Sequence, residues 1–256
     1  MTKPLRAAAA SIFGLVFVIS SITDIRAADL RVLAGGSMTG PLNELAPLFE
    51  RASGHNLTIH FDSTPNLIKL ATSGASFDLG VVPVDVFKNA EAKARFAPGP
   101  TTDIARVGYG VIVRAGTPKP DISTADALKK MLLDAKSITF LPASAAGAYV
   151  SSVFERLGIA EAMKAKMVPQ TSTGEIAKAV AQGDAEAGVF LINVLMAPGV
   201  ELAGPLPADL QNDLVFTAAI AGDTKEAEAA KAFIAYLKTP AAVAIIRAKG
   251  MEPGLE

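Results

Sequence analysis

The 256-residue chain has no cysteine, no tryptophan and only two histidines, His55 and His60. Without cysteine there can be no disulfide, no thiolate metal site and no cysteine nucleophile, so a chain exported from the cell must rely on its core alone. With so few imidazoles there is no His-x-x-x-His pair, and neither an acidic metal cluster nor a Walker-type phosphate loop occurs. Charge of one sign is also missing. Lysine and arginine number 24 against 25 aspartates and glutamates, a net charge of −1, which leaves no basic face for displacing counterions from nucleic acid. Internal repeats and low-complexity tracts are absent, apart from an enrichment in alanine, a helix former.

A chain of this length can bury one large or two ordinary cores. Its positive mean hydropathy of +0.37 comes from dispersed alanine and valine and from one apolar stretch, Ala7 to Ile22. Lys3 and Arg6 precede that stretch and Thr23-Asp24-Ile25-Arg26-Ala27-Ala28 follows it. A basic start, a short apolar body and small residues at its end have the layout of a secretory signal, residues 1–27, with cleavage expected after Ala27. The competing reading, an uncleaved membrane anchor, has an apolar body short for a span.

Beyond it, strands alternate with helices. Leu30 to Leu33 reads as a strand that breaks at Gly35-Gly36-Ser37-Met38-Thr39-Gly40-Pro41 and enters a helix with Leu42, Leu45, Leu48 and Phe49 on one face. Pro41 is expected at the first helical position, and Pro47 is expected to kink or end the helix early. The pattern repeats at Ser63-Thr64-Pro65 after a strand at 57–61, at Ala143-Ser144-Ala145-Ala146-Gly147 after a strand at 138–141, and at Thr171-Ser172-Thr173-Gly174. Apolar runs at 77–82, 107–113, 188–192 and 215–220 read as further strands, Asp85 as the cap of a helix to Ala94, and Thr224 as the cap of a late helix. The alternation predicts a parallel-rich α/β fold with its ligand at the C-terminal strand ends, where the four hydroxyl-rich turns lie. Helix N-termini there offer unpaired N–H groups and a partial positive charge to an anion.

Catalytic groups are scarce beside these turns. His60, Asp62 and Ser63 are neighbours in sequence, but His60 and Asp62 project from one strand face while Ser63 starts the next turn, which argues against a triad. The pairs Asp184 with Glu186 and Glu226 with Glu228 read as solvated helix ends or faces. Hydroxyls and N–H groups without an acid or base favour holding an oxyanion over turning one over.

The residues Ala34-Gly35-Gly36-Ser37-Met38-Thr39, Phe61-Asp62-Ser63-Thr64, Gly74 to Leu79, Ala146-Gly147-Ala148-Tyr149, Gly188-Val189-Phe190 and Ala235 to Pro240 follow one another in an order that resembles the periplasmic solute-binding proteins of ABC importers, type II arrangement, and among them the molybdate-binding branch. The resemblance implies a two-lobed α/β protein, each lobe a parallel-rich sheet flanked by helices, with the ligand cleft between the lobes. Lobe one is expected over 29–110 with 214–256, and lobe two over 111–213. It further implies a periplasmic, monomeric, non-enzymatic protein without cofactor that hands a molybdate- or tungstate-like oxyanion to an inner-membrane permease. The branch's ligand positions fall on Ser37, Thr64 with Ser63 beside it, Ala146 and Thr173. Its late-strand tyrosine falls on Leu191, which cannot donate; Asn193 is the residue nearby that can. Gly36 and Pro65 also depart from the branch. Three alternatives stand beside this reading: a small organic carboxylate ligand with Arg106 as counter-charge, an exported hydrolase built on His60 and Ser63, and a ligand-sensing domain lacking transport.

Overall fold

A computed structural model describes residues 27–254; the signal-like segment expected over 1–27 lies, but for Ala27, outside the described residues. The chain forms two mixed sheets. The first contains β1 (Asp29–Gly35), β2 (Asn56–Asp62), β3 (Leu79–Pro83), β4 (Thr102–Val107), β10 (Leu214–Ile220) and β11 (Glu252–Pro253), in the order β11-β4-β10-β3-β1-β2. The second contains β5 (Tyr109–Arg114), β6 (Ile138–Phe140), β7 (Met167–Pro169), β8 (Ala187–Leu191) and β9 (Val200–Pro205), in the order β7-β6-β8-β5-β9.

Around the first sheet lie α1 (Thr39–Ser53), α2 (Thr64–Thr72), α3 (Ala90–Lys93), α9 (Ala227–Leu237) and α10 (Pro240–Ala248). The second carries α4 (Ala125–Asp134), α5 (Ala145–Arg156), α6 (Ala160–Lys164), α7 (Thr173–Gln182) and α8 (Ile192–Leu195). Among the described residues no single helix is long and apolar enough to cross a membrane.

Parallel pairing is confined to the strands linked through helices: β1 with β2 and β3, and β6 with β7 and β8. The strands that enter or leave the two crossings between sheets, β4, β5, β9 and β10, pair antiparallel, so the sheets are less parallel than the alternation of elements predicts. The strand expected over 107–113 is two strands that part at Gly108, one in each sheet. A Cβ at Gly108 would press on the Gln211 amide at about 3.1 Å. That amide accepts from the Tyr109 N–H at 2.8 Å and donates to the Tyr109 carbonyl at 2.8 Å, joining the outgoing crossing to the returning one. Arg106 binds Asp213 at the same place. Arg106 is thus committed to the crossing and is not a counter-charge in the cleft.

The core forms as the apolar periodicity requires. Leu30, Val32 and Ala34 of β1 and Leu42, Leu45 and Phe49 of α1 are buried together, and the Phe49 ring lies 4.9 Å from Phe233 and 5.4 Å from Tyr236 on α9. Pro47 does not end α1, which runs unbroken to Gly54, whose φ of 75° closes it in the left-handed region. Pro41 is its third residue, preceded by a 3-10 turn at Gly36–Met38. The helix expected after Asp85 is a 3-10 turn at Val84–Lys88 followed by α3, capped by the Asn89 side chain. Thr224 does not cap α9. The cap position is Glu226, whose N–H the Thr224 oxygen accepts at 3.0 Å; the Thr224 hydroxyl donates to Asp78 at 2.8 Å, and that carboxylate, 2 % exposed, also accepts from the Arg31 N–H at 2.8 Å and from the Arg31 guanidinium. Burial pushes the Asp78 carboxyl up, but these donors together hold it below the ordinary range.

Candidate functional site

The C-terminal ends of β1, β2, β3, β6, β7 and β8 converge on one cavity of about 230 Å³ between the two sheets. Ser37, Ser63, Thr64, Ala146 and Thr173 all line it, as does Leu191. Two glycines fix its walls. A Cβ at Gly35 would come within 2.7 Å of the Phe216 ring, and one at Gly147 would lie 1.9 Å from the Leu141 carbonyl oxygen, so β1 and α5 approach their neighbours as only glycine permits.

The polar groups of the wall divide into those already engaged and those still open. Thr39 donates to the Gly36 carbonyl, Ser144 donates to the Leu141 carbonyl while accepting from the Gly147 N–H, and Thr171 donates to Glu175. Glu175 also accepts the Thr171 and Ser172 N–H groups, so that turn has spent two backbone donors inside the protein. Its carboxyl is held below the usual range by the Thr171 hydroxyl and these N–H groups. Among the described residues, the hydroxyls of Ser37, Ser63 and Thr173 have no protein partner, and Ser63, at the N-cap of α2, makes no capping bond. The Thr64 oxygen accepts the Ala145 N–H at 3.4 Å, which leaves its own proton to donate.

The first turn of α5 shows the same selection. The N–H groups of Ala145, Gly147 and Ala148 have acceptors in Thr64 and Ser144; that of Ala146, 2 % exposed, has none among the described residues. Four lining hydroxyls and, on α5, the Ala146 N–H are therefore left without a protein acceptor among the described residues. Among the described residues no lysine or arginine lines the cavity.

Among the described residues, Asp62 is the one formally charged residue of the lining. Its carboxylate accepts from the Ser63 N–H at 2.7 Å and from Asn66 at 2.8 Å, and lies 3.3 Å from His60. Partial burial raises its carboxyl, but the Asn66 amide, the Ser63 N–H and His60 outweigh that and keep it below the ordinary range. His60 is half exposed, bonds Asp62 and does not line the cavity, so the base–nucleophile contact that a hydrolase built on His60 and Ser63 requires is not formed.

Asn193 does not line this cavity. Its amide donates to the Ser37 carbonyl at 2.8 Å from the far side of the Ser37 turn, in an adjoining crevice. The position opposite Leu191 on β5 holds a tyrosine, Tyr109, but that ring packs against Tyr149 at 4.6 Å and stays outside the lining. Burial, with Asp85 and Tyr149 adding to it, pushes the Tyr109 phenol up, so it remains protonated. Nothing on β5 or β8 thus replaces the donor that Leu191 lacks. The apolar wall of Phe61, Pro83, Leu214 and Phe216 had no signal in the sequence beyond hydrophobicity, because each belongs to a strand whose periodicity accounts for it.

The model of the bacterial extracellular solute-binding protein family matches residues 30–252. An aconitate isomerase of Pseudomonas sp is 31% identical over 234 residues, 88% of this chain and 87% of its own. The molybdate-binding protein ModA of Azotobacter vinelandii is 28% identical over 231 residues, 88% and 90% of the two chains. The solved periplasmic molybdate-binding protein of Azotobacter vinelandii superposes with a TM-score of 0.72 at 23% identity, covering 87% of this chain and 98% of that one. The tungstate binding protein TupA from Desulfovibrio alaskensis G20 superposes with a TM-score of 0.66 at 18% identity, covering 90% and 100%. The chain therefore belongs to the bacterial extracellular solute-binding proteins, as a molybdate-binding-protein-like member with a two-lobed periplasmic-binding fold.

Proposed function

We propose that this protein captures a small oxyanion of the molybdate or tungstate type in the cavity between its two sheets and delivers it to an ABC permease in the inner membrane. Ser37, Ser63, Thr64 and Thr173 act as hydroxyl donors to the anion, and Ala146 donates through its backbone N–H. The observation that carries this reading is the set of unspent donors from both halves of the molecule around one cavity without a cation. Hydrogen bonds to a charged acceptor in a site shielded from water are roughly twice as strong as neutral ones, so neutral donors suffice to hold a small dianion. The halves that close on it are centred on the two sheets and hinge at Gly108 and near Asn212. The protein acts as a monomer outside the cytoplasm, and residues 1–27 serve as its cleaved export signal.

A small organic carboxylate is the second reading. Leu191, Phe61 and Phe216 give the cavity an apolar wall that a bare tetrahedral ion does not use, and one relative carries the name of an enzyme acting on such a compound. The two readings part in a titration of the mature protein, followed by thermal shift and calorimetry, with molybdate, tungstate, sulfate, phosphate and cis-aconitate. Binding of molybdate or tungstate supports the first. Binding of aconitate alone overturns it in favour of the second, and conversion of aconitate to its isomer during the titration would overturn the non-enzymatic reading.

A further inference from the structure

We infer that Asn193 is a positioning residue that latches the two halves together by holding the Ser37 carbonyl. The reason lies in Pro41. In a helix starting at the Ser37 turn the carbonyl of residue 37 would accept from the N–H of residue 41, and proline has none to give. The carbonyl orphaned in this way on the first-sheet side is met by the Asn193 amide, 2.8 Å away on α8 of the second-sheet side. Ser37 follows β1 of the first sheet and Asn193 follows β8 of the second, so the bond exists only while the halves are together. The two sides are close here: the Asn193 Oδ1 is buried without a partner among the described residues, and a Cβ at Gly250, after α10, would come within 2.6 Å of the Met196 sulfur and 3.4 Å of the Asn193 Cα.

Ser37 thus has two faces. Its hydroxyl opens to the cavity while its carbonyl is gripped from behind. Together with the Thr64–Ala145 contact across the cleft, the Asn193 bond brackets the cavity on the side away from α2. Asn193 therefore acts on the anion through closure and through the aim of the Ser37 turn, not by touching it. Lysine 249, paired with Glu44 at 2.7 Å, is the charged residue lining the same crevice.

The absence of cysteine makes the test direct, since spin labels can be placed at Lys69→Cys and Lys178→Cys, exposed positions on α2 and α7, with no background thiol. The distance distribution is measured without anion in the labelled protein carrying Asn193, Asn193→Ala or Asn193→Asp, at pH 7.5 and pH 4.5. Both substitutions are expected to move the distribution toward a more open separation at pH 7.5. For Asn193→Asp the introduced carboxylate faces the Ser37 carbonyl when ionised and can donate to it when protonated, so the closed separation returns at pH 4.5 in that variant and not in Asn193→Ala. Molybdate affinity forms a second arm, resting on the proposed function. There both variants should weaken binding roughly three- to tenfold at pH 7.5, the change one neutral hydrogen bond commands. Distributions that match the parent in both variants, or a shift in Asn193→Asp that pH does not reverse, would overturn the latch. Failure of the parent to bind molybdate would count against the proposed ligand and leave the distance arm standing as the test.

Discussion

Removing the Ser37 hydroxyl is the most direct perturbation of the proposed anion site. Ser37 is 8% exposed and its hydroxyl has no protein partner among the described residues, so Ser37→Ala takes a donor from the cavity without breaking an internal bond. A hydrogen bond to a charged acceptor contributes about 1.5–3 kcal/mol. The expected loss in molybdate affinity is therefore about ten- to a hundredfold, read by calorimetry, with an unchanged melting temperature. Thr39→Ser is the control: that hydroxyl is spent on the Gly36 carbonyl and survives the change, so affinity should hold within about twofold. Equal affinity of Ser37→Ala and the parent would show that the turn serves only the fold, and the reasoning from unspent donors would fall with it.

Four further outcomes follow from the same geometry. Asp62 places a negative charge beside the cavity, and Asp62→Asn keeps an acceptor for the Ser63 N–H while removing repulsion of roughly 1 kcal/mol; dianion binding should tighten severalfold at low salt and less at high salt. Leu191→Tyr supplies a phenolic donor at a lining position, and if the hydroxyl reaches the anion, competition calorimetry should show tungstate gaining over cis-aconitate; an equal loss for both would mean the ring only fills the cavity. Gly147→Ala drives a Cβ into the Leu141 carbonyl, a backbone atom that cannot rotate away, and should cost about 3 kcal/mol or more in a denaturant melt together with most anion binding. Asp78 has its carboxyl held below the ordinary value near 3.9, so the stability it contributes is present above that pH and is lost as pH falls through the lower folded value. Asp78→Asn should therefore lower the melting temperature by several degrees at pH 7, with the gap to the parent narrowing toward pH 2–3.

The strand–turn–helix units were legible because each joins a strong apolar period to a local punctuation mark. Ser144 and Thr124 cap α5 and α4 through the hydroxyl bonds that their sequence positions suggest. Short edge strands were not legible: β7 has three residues and β9 contains glycine and proline, and both are held by neighbours on which the local pattern is silent. Thr224 meets the start of α9 two residues outside the cap, its oxygen accepting the Glu226 N–H, while its proton goes to Asp78, 146 residues away, a partner that no local pattern announces. The turns that carry Ser37, Ser63, Thr64, Ala146 and Thr173 were legible as strand ends that converge, a property of the fold class, whereas the choice of these residues within the turns came from the family resemblance. Asn193 went another way because its partner is a main-chain carbonyl. The clue was present in Pro41, four residues after Ser37, which marks a carbonyl in need of a donor from elsewhere.

A site of neutral donors has a consequence for how capture must work. Without a cation to attract the anion from a distance, the hydroxyls gain their strength only when water is excluded and the local dielectric falls, so affinity accrues at closure and little before it. Asp62 reinforces this, since its charge opposes the anion in the open cleft, where no closed set of donors compensates. The energetic weight then rests on contacts that exist only between the halves, Thr64 with Ala145 and Ser37 with Asn193. Both residues on the first-sheet side of those contacts also line the cavity. On the proposed function, opening the cleft would withdraw donors from the anion in the same movement that breaks the contacts, so a permease that pulls the halves apart would release the ligand without any residue that competes for it.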